Sequence, residues 1–241
     1  MEMDSNEPKP GPMRVLDAEL GGGLKRGELG LVISRHGVGK TPFLVGVALD
    51  RLLRGMRVIH VSLDHKVEHV RDFYDEILDE IAKRDGLNVD PTTRLELERA
   101  RRIHAYLANS FSVDKMKTAV SFGREHAAFD PDVIIVDGFD FVKGSLEEVG
   151  RILDIAKECR SELWMTAVRH RHEPVTDSDG IPSPVSIYKE LAALILDLQT
   201  ADGSITVRRL RPRPAGGSSE LPVVLDPTTM LLRLRSDPAA V

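Results

Sequence analysis

LGLVISRHGVGKTPFLVG, residues 29–46, is the stretch from which the rest of the chain is read. Its first six residues form a short apolar run of buried-strand type, and its last residues repeat apolar side chains at helical spacing. Between them lies SRHGVGKT, residues 34–41, which fits the phosphate-binding pattern G-x-x-x-x-G-K-[ST] except that Ser34 replaces the first glycine. Gly37 and Gly39, with His36 and Val38 around them, leave backbone amides free to make an anion-binding nest. The following helix N-terminus adds partial positive charge, and Lys40 supplies a point charge for β- and γ-phosphates. Thr41 offers a hydroxyl to Mg²⁺. Ser34 falls at the end of the strand, where extended backbone suits any L-residue, so the loop is expected to survive loss of that glycine.

Further along, DVIIVDGFD, residues 132–140, is a run of β-formers ending in Asp137. A carboxylate at the carboxyl edge of a neighbouring strand can hold a Mg²⁺ shell together with Thr41. The two segments predict a site for ATP and Mg²⁺.

The chain has 241 residues, enough for one sizeable α/β domain, with 41% apolar and 29% charged residues. No apolar run approaches the roughly 18 residues of a membrane span. Residues 1–12, MEMDSNEPKPGP, lack the apolar core of a secretory signal, so a flexible tail and a cytoplasmic protein are expected. Cys159 has no partner for a disulfide and reads as a buried thiol. A net charge of −5 argues against bulk attraction to nucleic acid, which leaves RHRH (169–172) and RRLRPR (208–213) as local basic patches.

Strands are expected at 29–34, 57–62, 132–137 and 162–168, with "FSVD" (111–114) as a further short one. Helices are expected from Thr41 to the stop at Gly55, over 66–86, 90–108, 116–129 and 145–160. This alternation implies a mainly parallel sheet with helices on both faces. Residues 16–30 read as a glycine cluster with turns, and 169–186, rich in proline, glycine and acid, as a long mobile loop. The segments 190–199, 204–211, 221–226 and 230–235 read as later strands, antiparallel at one side of the sheet.

Other motifs compete. HKVEH, residues 65–69, matches the H-x-x-E-H zinc pattern, with His65 and His69 one helical turn apart, but no third-ligand motif follows. His60, inside an apolar strand, reads as a core histidine. His170 and His172 fall in the long loop, where solvation and phosphate contact both remain open.

LDAELGGGLKRGELGLVISRHGVGKT, residues 16–41, resembles the RecA-like ATPase core, in the branch of DnaB-type helicase ATPase domains, RadA and KaiC. The resemblance spans about residues 13–235, by motif in the first half and by element order in the second, leaving tails at 1–12 and 236–241. It implies an α/β RecA-like P-loop NTPase with a mainly parallel central sheet, helices on both faces and antiparallel C-terminal strands. It also implies ATP with Mg²⁺ and a homo-oligomeric ring or filament. The family's water-polarising carboxylate, generally glutamate, falls on Asp64 here. Aspartate is one methylene shorter, and about 1 Å of misplacement can cost on the order of 100-fold, so slow turnover is expected. The family's polar sensor falls on Arg169 or His170. Its Lys-x-Arg pair, which reaches a neighbour's nucleotide, falls on Arg209 and Arg211, for which a solvated basic strand end is the competing reading.

In the resembling helicases the loops after the third and fourth strands grip single-stranded DNA. Here these are 138–145 and 169–186, and in the second Glu173, Asp177 and Asp179 offset Arg169 and Arg171. Aromatic residues are only 5% of the chain, which leaves few stacking platforms. The expected function is therefore a slow KaiC-like ATPase whose nucleotide state controls assembly or a protein partner. A DNA-dependent ATPase and a non-hydrolysing nucleotide-binding protein are the alternatives.

Overall fold

The computed structural model describes residues 11–107, 110–169, 176–212 and 219–237. Six strands run parallel: β1 (Leu29–Ser34), β2 (Val58–Ser62), β3 (Arg101–Ala105), β4 (Val133–Asp137), β5 (Glu162–Val168) and β6 (Ala192–Ala201). Three more, β7 (Ser204–Arg211), β8 (Glu220–Leu225) and β9 (Leu232–Leu234), follow β6 as antiparallel neighbours. Together they make one nine-stranded sheet in the order β3-β2-β4-β5-β1-β6-β7-β8-β9. The expected mixed α/β sheet with antiparallel C-terminal strands is thus present, except that 190–199, read as antiparallel, forms β6 and runs parallel to β1.

The central strands β1, β2 and β4 are buried at every position, which is why they read as continuous apolar runs instead of alternating ones. Alternation decides only which side each residue serves. Leu29, Leu31 and Ile33 pack with α5 (Val113–Ala127) and α6 (Leu146–Cys159) on one face. Val32 packs with α2 (Lys40–Leu53) and α3 (Val67–Asp85) on the other, where α1 (Pro12–Glu19) adds Leu16 and α4 (Pro91–Arg99) adds Leu97. Helix ends follow local chemistry. Asp90 caps α4 through the Thr93 amide at 2.7 Å, and Ser145 with Glu148 forms a capping box on α6.

Several expectations need correcting. The helix read over 90–108 ends at Arg99, and β3 follows after one residue. The open edge of β2 offers parallel hydrogen bonds from Val58 to Ser62, and Arg101 lays its guanidinium 4.2 Å above the Tyr74 ring. Those tertiary partners outweigh the local helical tendency of this Arg-rich segment. "FSVD" is not a strand, because Ser112 caps α5 by accepting from the Lys115 amide. Residues 12–19, where tail and turns were read, form α1; its Asp17 carboxylate meets the buried Arg51 guanidinium at 2.9 Å.

Arg51 is only 3% exposed and also pairs with Asp50 and Glu162, while Trp164 Nε1 donates to Glu162 at 3.1 Å. One guanidinium thereby ties α1, α2 and β5 together. Of the long loop, residues 170–175, with His170 and His172, lie outside the described residues. The rest is anchored, contrary to the reading of mobility: Ile181, Val185 and Tyr188 are buried, and Lys189 bonds both Asp177 and Asp179. No helix among the described residues is long and apolar enough to cross a membrane.

Candidate functional site

The loop between β1 and α2 sits at the carboxyl edge of the parallel strands, where open α/β sheets leave a crevice. Gly37 and Gly39 take φ of +77° and +111°, so glycine is required at both by conformation, and the Leu225 side chain packs close against Gly39. Ser34 is not among the residues with positive φ. It is fully buried, its hydroxyl donating to the Arg35 carbonyl at 2.7 Å. Serine therefore fits where the sequence pattern has glycine. The amides of Gly37, Gly39, Lys40 and Thr41 find no backbone acceptor among the described residues, and Pro42, third in α2, has no amide to satisfy. Lys40 Nζ rests against Ser34 Oγ and the Arg35 carbonyl, each at 3.3 Å. Such long contacts leave the ammonium free to swing to an anion. Burial lowers the Lys40 pKa, and the nearby Asp137 and Asp64 partly offset this.

Opposite the loop, Asp137 closes β4 and is 3% exposed. Thr41 Oγ1 donates to its Oδ2 at 2.6 Å, and Thr166 Oγ1, on β5, donates to its Oδ1 at 2.6 Å. Thr166 also accepts from the Gly138 amide at 2.9 Å. Gly138 has φ +86°, and a Cβ there would lie 2.5 Å from Asp64 Oδ2, so the Asp64 carboxylate rests directly on the Gly138 backbone. Thr166 and Gly138 were missed in the sequence. A threonine inside the apolar run LWMTAV was the available signal.

These groups line one cleft of about 780 Å³, a size ordinary for small-molecule sites. His36, Gly37, Gly39, Lys40, Thr41, Asp64 and Asp137 all reach it, whereas Val38 packs against the hydrophobic core. Burial raises the Asp64 pKa, Asp137 raises it further, and His65, His36 and Lys40 pull it back. The arrangement is a hydroxyl and a carboxylate in contact, a lysine and unpaired amides beside them, and a second carboxylate of heightened basicity facing the same space. It suits an anion bound with a hard cation: Thr41 and Asp137 supply oxygen donors of the kind Mg²⁺ takes.

Other predicted residues lie elsewhere. Arg209 and Arg211, on β7, do not line this cleft; Arg209 Nη1 donates to the Glu19 carbonyl at 2.8 Å, and Arg211 pairs with Glu190 at 3.3 Å. Arg169 pairs with the buried Asp197 of β6 at 3.2 Å. His65 and His69 stack with Phe73, and no three His, Cys, Asp or Glu side chains among the described residues are grouped to hold a metal. Burial pushes the Cys159 thiol up, as suits a core thiol. His60 bonds Tyr74 through Nδ1 at 3.2 Å, but its Nε2 has no partner among the described residues, so it is a half-satisfied core histidine.

Compared with known proteins, the chain matches no family model and no curated protein.

Proposed function

We propose that this chain is a RecA-like P-loop protein that binds ATP with Mg²⁺ and hydrolyses it slowly, its nucleotide state controlling self-assembly into a ring or filament or the binding of a protein partner. The observation that carries the reading is the Thr41–Asp137 contact of 2.6 Å beside Lys40 and the unpaired loop amides. Phosphate oxygens accept from the amides of Gly37, Gly39, Lys40 and Thr41, and Lys40 leaves Ser34 for the β/γ bridge. Thr41 and Asp137 would hold Mg²⁺, which would supply neutralisation of charge on the phosphates. Asp64 accepts a proton from the water it orients over Gly138. In the free protein burial, with Asp137 behind it, raises the Asp64 pKa, which favours Asp64 as a proton acceptor over an ordinary surface carboxylate. In an assembly Arg209 or Arg211 of an adjacent copy stabilises the leaving charge, which requires Arg209 to leave Glu19.

The DNA-dependent alternative has less support. In the loop after β4, Phe139 and Phe141 are 7% and 3% exposed, so they are not available as base-stacking platforms. The deciding experiment is nucleotide binding and steady-state hydrolysis with Mg²⁺, with and without single-stranded DNA, for the wild type, Lys40→Ala and Asp64→Ala. Slow turnover, indifferent to DNA and lost in both variants, with binding kept only in Asp64→Ala, is expected. Absence of nucleotide binding in the wild type overturns the reading. Several-fold stimulation by DNA moves it to the helicase or recombinase class, and binding without turnover to the non-hydrolysing one.

A further inference from the structure

We propose that Thr166 is a positioning residue that holds both carboxylates of the cleft in register; this rests on the reading of the cleft as a Mg·ATP site. Thr166 is 1% exposed and sits on β5, the strand between the one that leads into the glycine-rich loop and the one that ends in Asp137. Its hydroxyl has a single proton. Because the Gly138 amide donates to the oxygen at 2.9 Å, that proton goes to Asp137 Oδ1 at 2.6 Å.

Two consequences follow from this one side chain. Asp137 has Oδ1 taken by Thr166 and Oδ2 by Thr41, so both oxygens of this cleft-lining carboxylate are held in place. Carboxylates that ligate metals depend on such outer partners, whose loss typically costs about 10–100-fold in metal affinity. The same hydroxyl also fixes the Gly138 peptide, and the absence of a Cβ at Gly138 is what lets Asp64 lie against the backbone there. Asp137 ends β4 and Asp64 follows β2, and the two share no direct bond. Thr166 is the one side chain among the described residues that bonds the first and the peptide supporting the second. Valine has the same shape without the hydroxyl, leaving the Gly138 amide and Asp137 Oδ1 each short of a partner.

The test is a titration of the purified protein with a fluorescent ATP analogue, in EDTA and over a range of Mg²⁺, with turnover at saturating Mg²⁺, for the wild type, Thr166→Val, Thr166→Ala and Thr166→Ser. For Thr166→Val the Mg²⁺ requirement of binding is expected to rise roughly 10–100-fold. Metal-free binding stays at the wild-type level, since the loop amides and Lys40 are untouched. Turnover stays depressed at saturating Mg²⁺ because Asp64 has lost its support, and Thr166→Ser restores both. Thr166→Ala gives the same split if the valine variant does not fold. Wild-type Mg²⁺ dependence in the valine or alanine variant overturns the assignment. So does an equal loss of binding with and without Mg²⁺, which is the mark of general misfolding. If the wild type binds no nucleotide in any condition the site reading itself falls, whereas a failure confined to the Thr166 variants leaves that reading standing.

Discussion

At the scale of single residues, the site depends on backbone freedom at two glycines and on hydroxyls placed between charges. Gly138→Ala puts a methyl 2.5 Å from Asp64 Oδ2 at φ +86°. It is expected to cost about 1–3 kcal/mol, read in urea denaturation, and to remove Asp64-dependent turnover while Lys40-dependent nucleotide binding persists. Ser34→Gly tests the reverse case. Ser34 has ordinary backbone geometry and only holds Lys40 at rest, so nucleotide affinity in a fluorescence titration should stay within a few-fold of wild type. A loss of 100-fold or more would show that the serine hydroxyl is itself part of the phosphate site. Lys40, Thr41 and Asp137 were legible in sequence because their chemistry needs a short, fixed spacing or a strand end. Thr166 was not, because its role comes from its neighbours across the sheet.

At the scale of elements, the buried Arg51 joins α1 to the frame that carries the glycine-rich loop, since α2 begins at Lys40 and holds Arg51 near its end. Burial already raises the Glu162 pKa, and Arg51 is what opposes that shift. Arg51→Met strands Glu162, Asp17 and Asp50 around an apolar side chain. A loss of about 3–5 kcal/mol, measured by urea denaturation at neutral pH, is expected. A smaller effect would mean that Glu162 takes up a proton at little cost. Helix α6 offers a local contrast. Ser145→Ala removes one capping-box partner and should cost about 1 kcal/mol, with no effect on nucleotide binding.

At the scale of the whole molecule, stability against acid should be governed in part by His60. Its ring is fully enclosed beside Tyr74, and burial lowers its pKa from 6.5 to about 4, with Arg101 and His65 adding to the shift and Asp137 opposing it. The folded protein therefore binds fewer protons at this site than the unfolded chain between those pH values. The contribution is fully present above pH 6.5 and is lost as pH falls towards 4. Urea midpoints of the wild type at pH 7 and pH 5, beside His60→Leu, check it. The leucine variant should show a shallower fall, and an equal fall in both would assign the acid sensitivity to other groups.

The sequence by itself determined the four strands β1, β2, β4 and β5 of the parallel part, the loop between β1 and α2, and the antiparallel close of the sheet. Each of these is written in a short window: continuous apolar runs where both faces are covered, glycines where the backbone must turn, and helical spacing after Thr41. Tertiary structure decided what no window contains. Arg101–Ala105 became a strand because β2 had a free edge beside it, and residues 12–19 became a helix whose Asp17 reaches a buried arginine. Part of the long loop became anchored through Ile181, Val185 and Tyr188. The meeting of Asp64, Asp137 and Thr166 belongs to the same class. It joins residues far apart in the chain, and only the order in which the sheet lays β2, β4 and β5 side by side brings their side chains to one edge.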